Sequence, residues 1–162
     1  MKTIPIEVIE RHWAALGEMD EAQATAMAER MQTEQPYIMV YLLAAADMEE
    51  DPEADSSQLM EIGGGIWYVI SQVKPGLRMV TDKELEAAES ANFEFLQKLD
   101  DGPEAQLQTA GQSMFQSYNQ MPLLGLAIEA LMEGNEDCPE LAQESIGLDL
   151  IHLKTVIDCL DQ

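Results

Sequence analysis

The sequence predicts an all-α protein, a single domain of seven to eight helices arranged as two similar four-helix halves, 1–74 and 82–162, joined by a short basic connection. Three observations lead there. Apolar residues recur at three- and four-residue steps along most of the chain. Prolines and capping residues open these stretches, and glycine-rich or acidic segments close them. The length of 162 residues fits one domain, and such a chain buries roughly 70% of its unfolded surface without disulfides or metals.

Ile6, Ile9, Trp13 and Leu16 share one face of a first helix that ends near Gly17, with His12 to the side of the stripe. Asp20 caps a second helix running to about Thr33, whose face of Ala24, Met27, Ala28 and Met31 is thin and implies close packing on a neighbour. The stretch from Gln35 to Ala46 is the most apolar in the chain. Pro36 suits its first turn, and the side chains that follow leave no polar face, so it is expected to be the buried central helix. The acidic run from Asp47 to Asp55 closes it.

From Ser56 to Val73 the positions Leu59, Ile62, Ile66, Ile70 and Val73 keep helical spacing across Gly63-Gly64-Gly65. Three interior glycines cost about 1 kcal/mol each relative to alanine. The segment therefore either breaks there or uses the missing side chains for close approach. Residues 66–80 also admit a hairpin, since Ile66-Trp67-Tyr68-Val69-Ile70 favours strand and Lys74-Pro75-Gly76 suits a type II turn. Helix is preferred, because a lone hairpin is marginal.

Asp82 to Leu99 forms the next helix, with Leu85, Ala88, Phe95 and Leu99 on one face and Asn92 in line with them. Another runs to about Tyr118 through Leu107, Ala110 and Met114. A second apolar helix starts by Pro122, the loop Glu133 to Asp137 follows, and the last helix carries Ile146, Leu150, Leu153, Ile157 and Leu160. Leu148, Ile151 and Val156 make its other side apolar as well, so burial on more than one face is expected. Matching Pro36 to Pro122 aligns Ala44 with Ala130, Asp47 with Glu133, Glu50 with Glu136 and Asp51 with Asp137. This alignment is the basis for reading two halves, although no recognised helical-repeat consensus is present.

Charge narrows function more than any motif does. The 31 acidic residues against 8 basic ones give −23 at neutral pH, so nucleic acid and anionic membranes are excluded as partners, because binding them needs Lys and Arg on phosphate. Basic proteins, basic peptides and cations remain. The N-terminal residues lack the apolar core of a secretion signal and no run reaches spanning length, so a cytoplasmic protein is expected. Cys138 and Cys159, without CxxC spacing, read as free thiols.

Catalytic and metal signals are sparse. Asp47, Glu49 and Asp51 alternate as in a calcium loop, but Pro52 stands at the turn glycine and Gln58 at the bidentate glutamate. Asp149 and His152 have the three-residue spacing of a di-metal bundle motif and are the weak metal candidates. Neither cysteine has an activating setting. No cofactor motif is present. The 11 methionines mostly fill core gaps, or else form an adaptable surface. The expected function is thus a non-enzymatic acidic module that binds a protein partner with a basic segment, or its own copy as a homodimer. Trp67 and Tyr68 beside Gly63, Gly64 and Gly65 are the interface candidates. A small metal-dependent helical enzyme with carboxylate ligands is the alternative.

Overall fold

A computed structural model describes residues 1–47, 56–100, 117–133 and 142–162. Seven helices lie among these residues, and they pack into one compact domain without strands. They are α1 (Ile6–Gly17), α2 (Glu21–Glu34), α3 (Pro36–Asp47), α4 (Ser56–Val73), α5 (Asp82–Asp100), α6 (Met121–Glu133) and α7 (Ala142–Leu160). The expected helix through Leu107, Ala110 and Met114, the acidic run 48–55, the loop around 134–137 and Cys138 lie outside the described residues.

Local chemistry accounts for the helix starts. Asp20 accepts from the Gln23 amide at 2.8 Å while the Gln23 side chain accepts from the Asp20 amide at 3.0 Å, a reciprocal cap on α2. Thr81 and Glu84 make the same exchange at the start of α5. Arg78 holds the Glu84 carboxylate at 2.7 Å. That pairing, with the two Thr81 bonds, lowers the Glu84 pKa to about 2.

The centre of the bundle is α4, not α3. Helix α4 packs against α1, α2, α3, α6 and α7, and Leu59, Ile62, Ile66, Trp67, Val69 and Ile70 are all buried. It runs through the three glycines without a break, so the hairpin alternative for 66–80 is replaced by helix and turn. Gly76 takes a φ of 75°, which the turn after Pro75 requires.

Two glycines explain how α4 sits so deep. A methyl group at Gly63 would overlap the Leu42 side chain, and one at Gly65 would sit 2.5 Å from Trp13 Cζ3. Missing side chains thus admit α3 and α1 side chains, rather than another backbone. Among the described residues the buried Trp67 Nε1 has no hydrogen-bond partner, whereas Asn92 on α5 donates to Thr155 and Asp158 on α7 at 3.1 Å each, and Lys154 reaches both Asn92 and Asp158. Asn92 therefore belongs on the inner face of α5 as a hydrogen-bonded link to α7.

Candidate functional site

Helix α3 was expected to be buried all round, and it is not. Ile38, Leu42, Ala45 and Ala46 face the core, whereas Tyr37, Val40 and Leu43 are 44%, 63% and 50% exposed. Ala44 and Asp47 complete the same outward arc. At 100° per residue, these positions span about a third of the helix circumference. Between Gln35 and Asp47 no side chain is charged. The outward arc is therefore apolar along nearly its whole length, ending in one carboxylate.

Two polar anchors fix this rotation. The buried Gln35 side chain donates to the Arg78 carbonyl at 2.9 Å and accepts from the Val80 amide at 2.8 Å. Two turns on, the Tyr41 hydroxyl donates to Glu89 on α5 at 2.8 Å and lies 2.9 Å from His152 Nδ1 on α7. His152 Nδ1 is 3.3 Å from the same Glu89 oxygen, an arrangement that closes when Nδ1 carries the hydrogen. Tyr41 and Phe93 stand edge-on to the imidazole. Burial first, and then the Glu89 carboxylate, raise the Tyr41 pKa, so the hydroxyl stays protonated. Turning α3 to hide Val40 would break both anchors and expose Ile38 and Leu42.

Covering an exposed Val or Leu side chain is worth about 1.5–3 kcal/mol, and folding leaves much of that uncollected at Val40 and Leu43. Leu96 on α5, one turn beyond Phe93, is exposed as well. The other large exposed apolar residues, Ile6, Val73, Met79, Met132 and Leu148, sit on other parts of the chain. Single exposed apolar residues are ordinary; an apolar helix face is less so. Leu148 also qualifies the expectation for α7, which buries Ile151, Leu153, Val156, Ile157 and Leu160 but leaves Leu148 outside.

The remaining sequence candidates lie elsewhere. Trp67 is fully buried in the core and Tyr68 is half-buried, edge-on to His12 at 6.5 Å between ring centroids. With Gly63, Gly64 and Gly65 buried too, these five residues line contacts between helices of this chain. The Trp67 ring lies 5.0 Å under the Arg30 guanidinium. Asp149 is buried on α7, one turn before His152. Among the described residues no three His, Cys, Asp or Glu side chains converge as metal ligands, and His152 Nδ1 is already engaged by Tyr41 and Glu89.

The thiol of Cys159 is not activated either. Burial, Asp158 and Glu84 push the Cys159 thiol up to about 11. The polar clusters close on themselves: Asp161 takes hydrogen bonds from the Met1 ammonium, Asn119 and Gln120, and Asp158 takes one from Tyr118 at 2.7 Å. Two surface depressions, one along α2 by Glu21, Thr25 and Glu29 and one between Arg78, Ala88 and Cys159, are open and shallow. Among the described residues no helix is long and apolar enough to cross a membrane.

Sequence reasoning missed the α3 face because a stretch without polar residues has no periodicity to show which side faces out. The available signal was Tyr41, the hydroxyl in mid-stretch that must reach a polar partner. Fold and surface define a small helical bundle with a rotationally fixed apolar helix face. Comparison with protein-family models, curated proteins and solved structures found no match to this chain.

Proposed function

We propose that this protein is a non-enzymatic binding module that recruits a basic polypeptide by charge. The observation that carries the reading is the excess of negative charge, −23, on a surface where several cations are already committed. Arg30 pairs with Glu34, Arg78 with Glu84, and Lys154 with Asp158, each at 2.7 Å. Lys74 donates to the Gln162 carbonyl. The field left to a partner is strongly anionic, which accelerates encounter with cations and repels a second copy of the same chain. A cytoplasmic setting belongs to the same proposal.

The test is the association rate of a labelled amphipathic Leu/Lys peptide, followed by stopped flow as salt is raised. Steered encounter predicts a fall of about tenfold or more between roughly 50 and 500 mM salt, as the screening length shortens to a few ångström. A rate that ignores salt contradicts the reading.

A further inference from the structure

Resting on that reading, we infer that the outward face of α3 is where the partner docks, and that the partner segment is a basic amphipathic helix whose apolar side covers Tyr37, Val40 and Leu43. Three features select this occupant. The face is helical and apolar, so it matches the apolar stripe of another helix laid along it, an arrangement that reads i, i+3, i+4 anchors. It is rigid, because Gln35 and the Tyr41–Glu89–His152 triangle hold α3 at both its first turn and its middle. And the charge available to a partner is anionic on balance: Asp47 ends the arc, α5, which packs on α3, exposes Asp82, Glu86 and Glu94 against Lys83 and Lys98, and the chain as a whole carries −23.

Charge also argues against the other occupants. An anionic lipid surface or a nucleic acid would be repelled. A second copy would bring two like-charged surfaces within a screening length for the sake of three apolar side chains. A helix with lysines flanking its apolar stripe gains from both terms at once. Tyr37 is the expected anchor, since tyrosine is enriched among the residues that dominate such contacts.

The experiment uses the full chain and a fluorescein-labelled Leu/Lys helix peptide, with a scrambled peptide of equal composition as control, read by anisotropy at low salt. The second protein is Val40→Asn/Leu43→Asn, whose substitutions lie on solvent-facing positions and whose melting temperature is checked alongside. The inference predicts saturable binding by the native chain, and at least about tenfold weaker binding for the scrambled peptide and for the double variant. If the native chain binds and the double variant binds equally well, the docking face is elsewhere and this inference is overturned while the basic-partner reading stands. If the native chain binds neither peptide, both fall.

Discussion

Gly63, Gly64 and Gly65 are adjacent in sequence but differ in what a methyl group would meet, so alanine at each position tests the packing of α4. At Gly64 the nearest atom would be Met31 Sδ at 3.9 Å, ordinary contact distance. Nothing opposes the helix preference of alanine there, worth about 1 kcal/mol. Gly64→Ala should therefore stabilise the protein and raise its melting temperature by about 2–4 °C for a chain of this size. At Gly65 the methyl would press on Trp13 at 2.5 and 2.8 Å and on Leu16 at 3.3 Å, so either the half-buried indole swings out of its place or α1 moves. At Gly63 it would overlap Leu42, whose side chain is fully buried. Overpacking of this kind costs about 1–3 kcal/mol, which outweighs the preference gain. Gly63→Ala and Gly65→Ala should lower the melting temperature, by up to about 8 °C. Thermal unfolding followed by circular dichroism decides it. Equal effects at all three positions, or a destabilising Gly64→Ala, would refute the packing described for α4.

Three further outcomes follow from the polar clusters. For Asp161, burial raises the pKa but the hydrogen bonds from Asn119, the Met1 ammonium and Gln120 together outweigh it, and the net shift is downward. A carboxylate with a depressed folded pKa contributes stability that is present above its unfolded pKa, about 4, and lost as pH falls through the folded value. Resistance to urea should thus fall as pH drops below about 4, and fall less in Asp161→Asn, which has already lost that contribution. Cys159, pushed up to about 11, should react with iodoacetamide at pH 8 far more slowly in the folded chain than in urea, with peptide mass spectrometry resolving the site. Tyr41→Phe removes the hydroxyl shared by Glu89 and His152 and should cost about 1–3 kcal/mol in chemical denaturation; no loss would mean the triangle does not anchor α3.

The helical class and most element limits were legible because stripes such as Ile6, Ile9, Trp13 and Leu59, Ile62, Ile66 carry a phase, and because Asp20 and Pro36 mark starts. Asn92 was legible as a polar residue in line with an apolar face, though not its partners on α7, which lie more than sixty residues away. The centre was misassigned for a physical reason. Hydrophobicity alone pointed to α3, whereas burial is decided by how closely neighbours can approach, and the glycines give that property to α4. The exposed face of α3 was not legible at all, since an unbroken apolar run does not reveal which third of its circumference faces outward.

The central claim, that α3 presents a docking face to a basic helix, is tested most directly by amide chemical-shift mapping of the labelled protein titrated with the Leu/Lys peptide. The account predicts that the largest changes fall within Pro36–Asp47, centred on Tyr37, Val40 and Leu43, with smaller ones on the adjoining face of α5. Saturable binding with changes confined to α1, α6 or the rest of the surface, and α3 unmoved, would contradict it.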